Sequence, residues 1–128
     1  LSESIVRKCL DEAIEHAVDG DRRHCVALES RRDEAVWVEI TWDVINAAYP
    51  HELEPTELLR AQGIEMPSGV SLEQWKPNVY ASFEHAALPT EPVAEFVEAY
   101  FKRVLRVVPS EFTLKIKRSR VGGPFRVR

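Results

Sequence analysis

The sequence is poor in the residues that staple, break or anchor a chain. Among 128 residues there are two cysteines, five glycines and one methionine. Two cysteines cannot form the disulfide framework on which small secreted folds depend. The apolar runs are a few residues long, far short of the ~20 needed to span a bilayer, so no membrane segment is expected. Low-complexity tracts and internal repeats are missing as well. Catalytic signatures are equally scarce. No Cys-x-x-Cys or His-Glu-x-x-His spacing is present, so no metal site and no cofactor are expected. Gly122 and Gly123 lack the third glycine and the Lys-Ser or Lys-Thr of a phosphate-cradling loop, and Ser68 before Gly69 reads as a turn residue. Glu12 and His16 stand one helical turn apart and His24 precedes Cys25, yet grouping His16, His24 and Cys25 follows no ligand spacing. Catalysis is therefore not expected, and neighbouring acids such as Glu52 and Glu54 arise by chance among 21 acidic residues.

What is present is a globular composition: 45% hydrophobic and 30% charged, in a length that suits one core. A first helix is capped by Ser2 or Ser4. Ile5, Val6, Cys9, Leu10, Ala13, Ala17 and Val18 recur along it at three- and four-residue spacing, and Gly20 ends it. Segments 25–30 and 35–42 suit a hairpin around the polar loop 31–34. In its second strand Val36, Val38, Ile40 and Trp42 point to the core, and Trp37, Glu39 and Thr41 to the wetter side. Cys9 and Cys25 fall in these apolar stretches. With no secretion signal opening the chain, they are expected as buried thiols in the cytoplasm, and Leu1 in place of Met suggests an excised piece of a longer protein.

From 43 to 76 the pattern turns irregular around Pro50, Pro55 and Pro67, with one short helix over 55–62 closed by Gly63. Segment 78–85 alternates as a third strand. The widest apolar face belongs to a helix over 92–108, where Phe96, Val97, Tyr100 and Val104 face the core and Glu98 and Arg103 face away. Phe112, Leu114 and Ile116 then alternate as a fourth strand. These elements predict an α+β domain over 1–117: a small antiparallel sheet of about four strands, with N-terminal and C-terminal amphipathic helices packed on it and an irregular helical insert. Residues 118–128 read as a basic tail, a linker or disordered. Lys115, Lys117, Arg118, Arg120, Arg126 and Arg128 follow Leu114 with no acid among them, although the whole chain carries −4. Nucleic-acid contact through that tail is an alternative function, disfavoured by the acidic body.

The insert carries the functional signal. Trp42, Tyr49, His51, Trp75, Tyr80 and His85 are large side chains with polar tips in or beside it, the composition of a recognition surface. The alternatives are that Trp42 and Trp75 merely plug the core under a long loop, or that the insert walls a pocket for a small molecule or an enzyme's substrate, with His51, His85 or Glu52 as its polar groups.

The first helix, the hairpin, the strand 78–85 and the long helix together resemble the small α+β domains of bacterial type III secretion chaperones and their YbjN-like relatives. The proline-rich insert departs from that pattern. The resemblance implies a non-enzymatic adaptor that binds another polypeptide or itself as a dimer, and it assigns no functional residue.

Overall fold

The computed structural model describes residues 4–121 and is α+β, with three helices and one six-stranded antiparallel sheet. In chain order the elements are α1 (Ile5–Val18), β1 (His24–Ser30), β2 (Trp37–Ile40), β3 (Val44–Ala48), α2 (Pro55–Ala61), β4 (Val70–Lys76), β5 (Tyr80–His85), α3 (Thr90–Arg103) and β6 (Leu114–Arg120). The strands lie in the order β4-β5-β3-β2-β1-β6. The expected count of about four strands is corrected to six, because the segment read as an irregular insert contributes β3 and β4 on either side of α2.

The chain starts with a cap that also serves tertiary structure. Ser4 Oγ accepts from the Arg7 amide at 3.2 Å, satisfying one orphan donor of α1, and its hydroxyl donates to Glu98 on α3 at 2.9 Å. Val6, Cys9, Leu10 and Ala13 are the buried stripe, whereas Val18 at the frayed end is exposed. Gly20, at φ +95°, then turns the chain toward β1.

Helix α3 organises the core. Phe96 and Tyr100 meet Phe83 of β5 edge-on, with ring centroids 5.2 and 6.0 Å apart. The Tyr100 hydroxyl donates to the Ala48 carbonyl at the end of β3 at 2.7 Å, and burial raises that phenol's pKa well above its ordinary value. Regular helix ends at Arg103, five residues before the expected limit. Val104 and Leu105 stay buried in the turn that follows, Arg106 takes φ 61°, and Val108 is exposed. Arg103 donates to the carbonyls of Gln62 and Gly63, which ties the end of α2 to the end of α3.

Two expectations about faces change. Trp37, Glu39 and Thr41 are as buried as Val38 and Ile40, so β2 is enclosed on both sides. Glu39 accepts from Asn46 Nδ2 of β3 at 3.2 Å, a pairing that offsets part of the cost of burying a carboxylate. In β6 only Leu114 is buried; Phe112 precedes the strand and is exposed, and Ile116 sits at its margin. The strand continues to Arg120, so the first three residues of the expected tail belong to the sheet, while 122–128 lie outside the described residues. Cys9 and Cys25 are buried thiols, one under α1 and the other on the opposite face of the sheet. No described helix is long and apolar enough to cross a membrane.

Removing the Phe96 ring should cost about 3 to 5 kcal/mol, the usual price of a large buried aromatic. Glu95→Ala, on the exposed face of the same helix, should stay within about 0.5 kcal/mol of the parent. Urea unfolding midpoints of Phe96→Ala and Glu95→Ala compare the two directly. Equal midpoints would mean that another face of α3 meets the sheet.

Candidate functional site

The sheet has two unlike faces. Helices α1 and α3 cover the face built by Val26, Leu28, Val38, Ile40, Ile45 and Phe83, as the ring contacts and strand register show. The alternation of side chains places Ala27, Glu29, Trp37, Ala48, Lys115 and Lys117 on the other face. At the end of that face where β1 leaves and β2 enters lies a surface groove of roughly 610 Å³.

Trp37, Ala48 and Tyr49 border its floor but are nearly covered, Tyr49 packing its ring into the core, so the exposed lining is more polar than apolar. One rim is the β1–β2 loop, shaped by Ser30 Oγ accepting from the amides of Arg32 and Asp33 and by Asp33 accepting from the Ala35 amide. That loop presents Glu34 and Ala35. The opposite rim is Pro50 with the β4–β5 turn, where Asn78 adopts φ 60° and donates its amide to the His51 carbonyl at 2.9 Å. Along the side, β6 contributes Lys115 and Lys117. Lys117 Nζ is 3.8 Å from Glu29 Oε1, and Lys115 is exposed with no ion pair among the described residues.

The groove's described lining contains neither histidine nor cysteine, and the one phenol, Tyr49, is pushed up to about 12 by burial and the nearby charge of Glu54. Tyr49 donates its hydroxyl to the Leu53 carbonyl, so the group is occupied in holding the insert.

The six side chains expected to form one recognition surface do not share one. Tyr49, His51 and Trp75 cluster at one end of the core, with Tyr49 edge-on to His51 at 5.4 Å and to Trp75 at 6.1 Å. His51 is fixed by a 3.3 Å contact of Nε2 to the Val104 carbonyl. Tyr80, paired with Ala48, occupies the same end but is buried. Trp42 and His85 lie at the opposite end, Trp42 beneath the Arg22 guanidinium at 4.9 Å. His51 and His85 therefore do not meet in one pocket. Of the six, Tyr49 alone borders the groove. Lys115 and Lys117 were legible only as basic charge, and Trp37 only as an aromatic out of place on a wet side.

The basic strand is largely committed within the domain. Arg118 grips Glu12 with two hydrogen bonds of 2.8 and 2.9 Å, and Arg120 holds Asp21 at 2.8 Å. The Arg118 bonds hold the Glu12 carboxyl down to about 2. Arg126 and Arg128 lie outside the described residues. Comparison with protein-family profiles, curated proteins and solved structures finds no match.

His85 yields a test of this local account. Its Nε2 is 3.0 Å from the Thr41 carbonyl and its Nδ1 accepts from the Ala87 amide, the pattern of a neutral ring. Burial lowers its pKa below the ordinary histidine value, against the opposing pull of the Thr41 bond and of Asp43. The unfolded chain then takes up a proton near pH 6.5 that the folded chain refuses. Stability from this residue is full above about 6.5 and declines as pH falls through that value and below it. Urea midpoints between about pH 7.5 and about pH 5 should fall, and His85→Asn should flatten that decline. An unchanged pH slope in the variant would contradict the neutral, buried assignment.

Proposed function

We propose that this chain is a non-enzymatic polypeptide-binding domain, an adaptor with chaperone-like character, that holds a partner segment in the groove at the end of the sheet. The observation that carries the reading is a groove whose lining joins two carboxylates, Glu29 and Glu34, with two lysines, Lys115 and Lys117, beside the narrow exposed edges of Trp37 and Ala48. Peptide segments offer charges of both signs and backbone polar groups within a few residues, and a mainly polar groove edged by an aromatic is complementary to them. The exposed Lys115 adds a preference for a partner carrying a carboxylate beside its apolar anchor. The resemblance to type III secretion chaperones and YbjN-like domains points in the same direction, and with it comes a bacterial cytoplasmic setting and a second copy of the chain as one candidate partner.

Selection from a random peptide library against the full chain tests this. Selected peptides should combine an apolar residue with Asp or Glu, compete with one another, and lose about tenfold or more in affinity against Lys115→Glu/Lys117→Glu, a charge reversal facing the bound carboxylate. Both lysines are exposed, so the variant keeps its core. Failure to select any peptide, or peptides indifferent to the double substitution, would overturn the proposal.

A further inference from the structure

Away from the groove, at the junction of α1, the Gly20 turn and β1, the fold gathers the groups that bind a transition metal. Glu12 and His16 lie one turn apart on α1, and His24 opens β1 beneath them. One ligand atom from each of Glu12, His16 and His24 lies within 4.8 Å of the other two. The two imidazoles stack at 3.6 Å with planes 7° apart, and Glu12 Oε2 is 2.7 Å from His24 Nε2. A second carboxylate stands at the edge, with Asp21 Oδ2 3.7 Å from His16 Nδ1. Cys25, the sequence neighbour of His24, takes no part because strand alternation sends it to the opposite face.

We infer that Glu12, His16 and His24, with Asp21 as an added oxygen donor, form a binding site for a divalent transition ion of the zinc class. Two imidazole nitrogens with one or two carboxylate oxygens are a borderline donor set; calcium and magnesium call for oxygen throughout. Zinc draws its nitrogen and oxygen ligands to about 2.0 to 2.2 Å, so the donors must close in from their present spacing. The side chains permit it. His16 is 43% exposed and free to turn out of the stack, which lets its in-plane lone pair converge with that of His24. His24 then coordinates through Nε2, with its proton on Nδ1, in place of the contact to Glu12. Arg118 keeps its Nη2 bond to Glu12 Oε1 while its Nε bond to Oε2 gives way to the ion, and so orients the ligand as outer partners of metal sites do. Arg120 holds Asp21 Oδ2, the oxygen nearest His16, and Oδ1 accepts from the Arg23 amide, so Asp21 joins the ion by sharing Oδ2 with Arg120 or by exchanging that bond for it. An ion held there would fasten α1, β1 and β6 to one another and stabilise the domain by mass action.

The full chain, stripped with a chelator, is titrated with Co²⁺ and then with Zn²⁺. The proposal expects about one equivalent of Co²⁺ giving visible ligand-field bands with no thiolate charge-transfer band, displacement by Zn²⁺, and a rise in thermal midpoint with Zn²⁺. His16→Ala and His24→Ala should each weaken binding by about tenfold or more. His16→Ala alters an exposed side chain, and the unsubstituted protein supplies a readout that needs no variant. The site is refuted by any of three results: no bands and no thermal shift at a large excess of ion, binding unchanged in both histidine variants, or a thiolate band that puts the ion on Cys9 or Cys25. None of these outcomes bears on the groove, so the two proposals stand or fall separately.

Discussion

The fold depends on burying one aromatic face, that of α3, against two interior strands of the sheet. Phe83 of β5 receives Phe96 and Tyr100, and the Tyr100 hydroxyl reaches past them to the last carbonyl of β3. That bond anchors a helix to a central strand through a group that would be costly to bury alone. Both β3 and β5 must then be interior. They are: β3 pairs with β2 on one side and β5 on the other, so the edges fall to β4 and β6. The groove follows from the same arrangement, because it opens where β3 passes Ala48, beside the point that Tyr100 fixes.

Charge gives the second organising pattern. An edge strand exposes a ladder of unpaired backbone groups, and lysine and arginine along it discourage pairing with another chain. Here β6 is such a strand, and several of its cations also face acids of the body: Arg118 to Glu12, Arg120 to Asp21, Lys117 to Glu29. Exposed pairs of this kind contribute little each, and their effect is to seat β6 in register beside β1. The acidic pull of α1 explains why residues that read as a tail finish a sheet.

Much of this architecture was legible in the sequence. The three helices were visible from apolar spacing, and the capping Ser4, the proline that opens α2 and the glycine that closes it were all interpretable. Two strands were not. β3 is five residues long, VINAA, with small residues where a strand signal needs branched or aromatic ones, and Pro50 follows closely. β4 hides for another reason. A bulge between Leu72 and Gln74 shifts its register, so Leu72 and Trp75 share a face although they stand three positions apart, and a period of two cannot reveal that. The sites were legible by residue type but not by place. Polar-tipped aromatics stood out near the insert, yet nothing in their spacing tells which end of the sheet each reaches. Glu12 and His16 were visible as a helical pair. Their meeting with His24 needs the Gly20 turn, which sequence spacing does not specify.

Since β3 is the strand that pairing makes central, its backbone carries the account. Amide hydrogen exchange followed residue by residue in the native protein measures how deeply each strand is locked. The amides of Ile45, Ala47 and Ala48 should exchange as slowly as those of β1 and β2, only through opening of the whole sheet. If they exchange as fast as the loop at Glu52 and Leu53, segment 44–48 is a surface connection, and the six-stranded sheet, with the groove built on it, is wrong.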